Sequence, residues 1–143
     1  MVRSLAVACG DREVAADAVQ EAFTKAFVRW GRVSRLDDPA GWIRHVALNK
    51  IRDHFRKAER GRRAVARLAS DAETVVDPPR EPSDLGARLA VLPEQQRIAA
   101  ALFYVEDLSV AEIAYAMHLS DGAVKYHLHA ARASLRAAME PQS

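Results

Sequence analysis

Apolar residues recur along this chain at helical spacing, with no alternation long enough to propose a sheet. In the first part, Val19, Phe23, Phe27 and Trp30 form one apolar stripe, and Gly31 is expected to end the helix that carries it. A loop through Val33-Ser-Arg-Leu-Asp-Asp-Pro39 follows, and a second helix runs from about Ala40 into an Arg-rich stretch. On that helix Ile43, Ala47, Ile51 and Phe55 share one face. His45, Asn49, Arg52 and Arg56, at i, i+4, i+7 and i+11, share another. One face packs, and the other is free to meet a phosphate backbone.

The second part predicts a short helix from Asp84 to about Val91, then one opened by Pro93 with Ile98, Leu102 and Val105 on one side. Ser109-Val-Ala-Glu112 has the form of a capping box, and the helix it opens repeats Val110, Ile113, Ala114 and Met117 on one face. After a break at His118-Leu-Ser120, a further helix buries Val124, Leu128, Ala131 and Leu135. Two short amphipathic helices joined by a tight turn are the signature of a helix-turn-helix, or equally of a plain helical hairpin with a polar outside. In the first reading Ser120 is the N-cap and Gly122 lets the backbone approach a phosphate. Lys125 and Arg132 then face the phosphates, and Tyr126 and His129 the base edges.

Between the two parts, Ser70-Asp-Ala-Glu-Thr and Asp77-Pro-Pro-Arg-Glu-Pro-Ser83 cannot hold a continuous helix or strand. The expected organisation is all-α: a helical module over 1–58, a linker over 59–83 and a second module over 84–139. With 143 residues the chain can form one domain or two small ones.

The formal charge of +2 says little, but its distribution says more. Residues 44–67 carry nine Lys/Arg against two Asp/Glu, and residues 68–109 carry three against eight. That pattern fits a polyanion site beside a spacer kept off the polyanion, and fits a solvated basic helix equally well. The lone Cys9 cannot form an internal disulfide and reads as an inert small hydrophobe. No apolar run approaches the ~20 residues of a membrane span, and the N-terminal stretch lacks a signal-peptide core, so a cytoplasmic protein is expected. His127 and His129 point to different faces of their helix, and no Cys/His spacing suits zinc, so no metal or other cofactor is expected. Glu13, Asp17 and Glu21 fall on an exposed helix face without a pocket signal, and no catalytic residue is assigned. Trp30 and Trp42 lie in the apolar stripes and read as core rather than as wedges for a melted strand.

Two strings carry a resemblance. Asp17-Ala-Val-Gln-Glu-Ala-Phe23, followed by Trp42-Ile-Arg-His-Val-Ala-Leu-Asn49, resembles region 2 of bacterial sigma factors of the extracytoplasmic function (ECF) type. Leu92-Pro-Glu-Gln-Gln-Arg97, with Tyr104-Val-Glu-Asp-Leu-Ser-Val-Ala-Glu-Ile-Ala114 and Leu119-Ser-Asp-Gly-Ala-Val-Lys125, resembles region 4 of the same family. The resemblance implies two helical domains, a promoter-specificity subunit that rides on core RNA polymerase (clamp helices and flap), and an anti-sigma factor that holds it inactive. It implies polymerase contacts at Asp17, Gln20 and Glu21. It also implies −10 contacts at Asn49 and His45, backbone contacts at Arg52 and Arg56, and a base-capturing loop from Val33 to Asp38 that includes Ser34 and Arg35. For the −35 element it points to Ser120, Gly122, Lys125, Tyr126, His129 and Arg132.

Five departures from the family pattern carry expectations. The family's first region 2 helix is longer than Met1 to Cys9, so the aromatic stripe is expected to be partly uncovered. His118 stands where the family often has Gly, a place that favours left-handed backbone. Ala123 replaces the usual Thr, Tyr126 and His127 replace a frequent Ser-Arg pair, and Ala130 replaces a frequent Arg. Fewer cations on the reading helix imply weaker, less salt-dependent attachment and a −35 preference unlike the family's commonest one. Two rival readings stay open: a regulator with a LuxR-type output domain, which Val124-Lys-Tyr-His-Leu128 also fits, and a truncated sigma-like protein that titrates an anti-sigma factor.

Overall fold

The computed structural model describes residues 1–68 and 84–139. Among the described residues there are eight helices and no strand: α1 (Val2–Cys9), α2 (Arg12–Val28), α3 (Trp30–Val33), α4 (Pro39–Leu68), α5 (Asp84–Leu89), α6 (Glu94–Tyr104), α7 (Val110–Met117) and α8 (Asp121–Met139).

The helix ends follow from local chemistry. Gly10, at φ 75°, terminates α1 in the left-handed conformation and returns its N–H to the Ala6 carbonyl at 2.8 Å. Asp11 then opens α2, its Oδ1 accepting from the backbone N–H groups of Glu13 (2.9 Å) and Val14 (3.2 Å). Asp38 does the same for α4, accepting from the N–H of Gly41 at 2.9 Å, with Pro39 as the first helical residue. The capping box at α7 is complete: Ser109 Oγ accepts from the Glu112 N–H at 3.1 Å, and Glu112 Oε1 accepts from the Ser109 N–H at 3.0 Å. His118 caps α7 at φ 54°, ψ 47°, the left-handed backbone expected at that position.

The first half packs differently from the aromatic stripe expected of α2. Its buried face is Ala15, Ala18, Val19, Ala22 and Ala26, small side chains that let α1 and α4 approach closely. Phe23 and Trp30 are half exposed and Phe27 is 84% exposed, so of the predicted stripe only Val19 is core. Trp42 is partly buried against the core, as expected, but Trp30 is not. Gly31 does not end α2 either: the helix stops at Val28, and Gly31 lies within the separate turn α3. On α4, Ile43, Ala47 and Ile51 are buried and Phe55 packs at the edge, joined by the fully buried Leu48. Burying side chains of this size contributes roughly 1.5 to 3 kcal/mol each. Helix α4 continues past Gly61 to Leu68, so 59–68, read from sequence as linker, are helical. The remaining linker positions, 69–83, lie outside the described residues.

In the second half Leu89, Ile98, Leu102, Ile113 and Val124 are buried together, with Val105, Val110 and Leu135 at the margin. The two halves pack on each other. Helix α1 lies against α5 and α6, and α4 lies against α7, so one apolar core runs through both. Polar contacts line the α4 edge. Arg44 Nε donates to Glu106 Oε2 at 3.0 Å with both side chains largely buried, and the Met1 amino group lies 3.1 Å from Glu106 Oε1.

Candidate nucleic-acid interface

The outer flank of α4 presents its polar residues unequally. Asn49 and Arg56 are exposed, Arg56 with Asp53 at 3.7 Å. Arg52 is partly buried and donates from Nη2 to Gln95 Oε1 at 3.3 Å, across to the start of α6. Arg52, Phe55, Arg56, Glu59, Glu94 and Gln95 line an open groove of about 170 Å³ there. His45 is turned into the seam between the halves and lies flat on the His118 ring, centroids 3.6 Å apart and planes 4° from parallel. Its Nδ1 lies 2.9 Å from the Ala116 carbonyl, which can only accept, so Nδ1 carries the proton. Its Nε2 is then the acceptor for Asn49 Nδ2 at 3.0 Å, and the ring is neutral. Burial, and next the His118 and Arg52 charges, hold its pKa below the ordinary value, against the pull of the Ala116 carbonyl. Ser34 and Arg35, at the end of α3, are exposed, while Val33 is buried beneath them.

The second helix of the helix-turn-helix is α8, which carries the residues expected to face the −35 element. Ser120 caps it, its Oγ accepting from the Ala123 N–H at 3.1 Å. Gly122 is exposed in the first turn, with open space where a side chain would stand. Lys125, Tyr126 and His129 are exposed on one outer face, Tyr126 to 65%. Arg132 is held from within the second half. Its guanidinium lies 5.4 Å over the Phe103 ring, its Nε donates to Tyr104 Oη at 2.7 Å, and it is half-buried.

Among the three polymerase candidates, Asp17 and Gln20 are exposed on α2. Glu21 reaches across to Lys50 at 2.9 Å and along the helix to Lys25 at 3.6 Å, and its bond with Lys50 holds its carboxyl below the usual range. Gln20, Phe23 and Phe27 continue one another at i, i+3 and i+7, so the exposed aromatics extend the same outer face. The sequence places those aromatics in one apolar stripe, expected to be only partly uncovered, and they are more exposed than that. The competing signal was the alanine series 15, 18, 22 and 26, which has the same period and marks the true packing face.

Two family models match the chain: "Sigma-70 region 2" over residues 1–61 and "Sigma-70, region 4" over residues 83–135. The chain is 31% identical over 140 residues to a probable RNA polymerase sigma factor, RfaY, of Xanthomonas campestris, covering 87% of this chain and 34% of that protein. It is 29% identical over 137 residues to the ECF RNA polymerase sigma factor SigF of Caulobacter vibrioides, covering 94% and 74%. It thus spans about a third of the first relative and three quarters of the second. Among solved structures it resembles the sigma factor RpoE, in complex with the anti-sigma factor NepR, from Bartonella quintana. That match has a TM-score of 0.70 and 23% identity, over 95% of this chain and 88% of that one. It also resembles CnrH, in complex with the cytosolic domain of CnrY, with a TM-score of 0.65 and 25% identity over 99% and 81%. The chain belongs to the sigma-70 family, with ECF sigma factors among its relatives. Region 2 accounts for the half that a LuxR-type reading leaves unexplained.

Proposed function

We propose that this chain directs core RNA polymerase to promoters and promotes transcription initiation, without an enzymatic step of its own. The observation that carries the proposal is the pairing of two outward polar surfaces, α4 in region 2 and α8 in region 4, in the family's order along the chain. Asn49, Arg56, Ser34 and Arg35 serve the −10 strand, together with His45 and Arg52 once these leave the seam. Opening DNA without ATP requires tighter binding to the separated strand than to the duplex, against an unstacking cost of a few kcal/mol per base. A basic helix beside a base-capturing turn can supply that difference. Ser120, Gly122, Lys125, Tyr126 and His129 serve the −35 duplex, with Lys125 on phosphate and Tyr126 and His129 toward base edges. Arg132 supports α8 from behind. Asp17, Gln20 and Glu21, with Phe23 and Phe27 beside them, form the polymerase face.

The solved relatives RpoE and CnrH were captured with NepR and with the cytosolic domain of CnrY. By analogy an anti-sigma factor holds this chain inactive in the cytoplasm. No helix among the described residues is long and apolar enough to cross a membrane. Run-off transcription from a promoter library, with core enzyme plus this chain, tests the proposal. Selection of a promoter class with defined −10 and −35 sequences is expected, and binding to core without promoter selection overturns it.

A further inference from the structure

Two consecutive residues of α4, Arg44 and His45, both cross to the second half of the chain. Arg44 reaches Glu106 at 3.0 Å, and His45 reaches the Ala116 carbonyl and stacks on His118. Seven residues on, Arg52 is held by Gln95. Of the flank His45, Asn49, Arg52 and Arg56, His45 and Arg52 are the two members that are not exposed. We propose that the His45–His118 stack is a proton-operated latch that closes the α4 flank against α7, so that protonating His45 within the stack opens this edge and releases His45 and Arg52.

The geometry fixes the direction. Parallel rings 3.6 Å apart cannot both carry charge without strong repulsion. The charged groups that face His45 are His118 from the end of α7 and Arg52 from its own helix, cations both when charged. The seam's carboxylates are otherwise engaged, Glu106 with Arg44 and Glu112 with the Ser109 cap. From α6 come the neutral Gln95, bonded to Arg52, and the Glu94 carboxylate, which lines the groove beside Arg52 with Glu59 of α4. The closed edge therefore disfavours a second charge in the stack, and burial disfavours the charge on His45. Its contribution is fully present above the ordinary histidine value of 6.5 and is lost as pH falls through the lowered value of the closed state.

The latch stands on this geometry alone, whereas the masking of a DNA-strand surface rests on the proposed function, and one experiment separates them. A nitroxide on Ala111→Cys in a Cys9→Ser background broadens α4 resonances while the edge is closed, and ring signals report histidine protonation in the same titration. As pH falls from 8 to 5, His45 is expected to titrate below 6.5 with the α4 broadening lost in step. His118→Asn keeps a residue that tolerates the left-handed cap but removes the ring. With it, His45 is expected to titrate closer to 6.5, and broadening is weaker already at pH 8. Broadening that persists to pH 5 in the unmodified seam, or an unchanged His45 midpoint in His118→Asn, overturns the latch. At pH 8, His118→Asn is expected to bind a fluorescent random-sequence single-stranded DNA several-fold more tightly, and equal binding by an opened edge overturns the masking. If Arg56→Ala leaves that binding unchanged, the strand-binding reading fails while the latch stands.

Discussion

Arg132 Nε donates to the hydroxyl of Tyr104 across 2.7 Å, and its guanidinium lies over the Phe103 ring, so a residue of α8 is clamped onto the end of α6. The arrangement engages the cation inside region 4. Arg132→Ala is expected to lower stability by about 1 to 2 kcal/mol, through one charge-assisted hydrogen bond and a cation–π contact. Urea unfolding reads that loss. The salt dependence of duplex binding discriminates the roles: Lys125→Ala is expected to lower the slope by about one, and Arg132→Ala to leave it unchanged.

The Ser109–Glu112 capping box carries a pH signature. Hydrogen bonds from Ser109, its backbone N–H first, hold the Glu112 carboxyl below the ordinary 4.5. The stabilisation is therefore present above 4.5 and is lost as pH falls through the lowered folded value. Ser109→Ala is expected to cost about 1 kcal/mol at neutral pH. Glu112→Gln is expected to flatten the acid limb of stability between pH 6 and 3 without an equal loss at pH 7. Urea titrations across that range check both, and an unaltered acid limb in Glu112→Gln counts against the assignment.

Gly41 marks how closely α4 approaches α7. A Cβ built there would stand 2.6 Å from Tyr115 Cδ1 and collide with the Asp38 carboxylate. Gly41→Ala is expected to destabilise by about 1 to 3 kcal/mol, despite alanine's better helix propensity, because a ring and a helix cap must both move. Adding Tyr115→Ala is expected to recover part of the loss and not all of it, since the Asp38 clash remains. A double-mutant cycle by thermal unfolding checks the coupling, and strict additivity would remove Tyr115 from the account.

Most helix starts, the capping box, the left-handed His118 and the outer face carrying Lys125, Tyr126 and His129 were legible, because each depends on residues within a turn or two of one another. What escaped depends on residues far apart in sequence. Arg44 meets Glu106 and His45 meets His118 only because the two halves dock, and no local pattern encodes that docking. The aromatic stripe of α2 misled for a related reason. Size and apolarity favoured Phe23, Phe27 and Trp30 as core, but close helix packing selected the alanine face and left the larger side chains outside. Helix α4 runs through Gly61 into positions read as linker because a single glycine costs a helix only about 1 kcal/mol, and the Glu59–Arg63 pair at 2.9 Å lies across it.

Phe27, 84% exposed on α2, separates a core role from a docking role. A side chain so exposed contributes little to folding, so Phe27→Ala is expected to change stability by no more than about 0.5 kcal/mol. Leu48→Ala, which empties a fully buried site, is expected to cost about 2 to 5 kcal/mol. If the aromatic face docks on polymerase, the ranking reverses for binding. An aromatic anchor at the centre of an interface typically loses about 2 kcal/mol or more on truncation, a drop of roughly thirtyfold in affinity for core enzyme. Duplex binding through α8 stays as it was, because Phe27 and Lys125 lie on different halves. Fluorescence anisotropy against core enzyme and against duplex DNA measures the two separately. A Phe27→Ala protein that unfolds early, or that binds core enzyme at full strength, removes the aromatic face from the polymerase surface and leaves Asp17 and Gln20 to account for it.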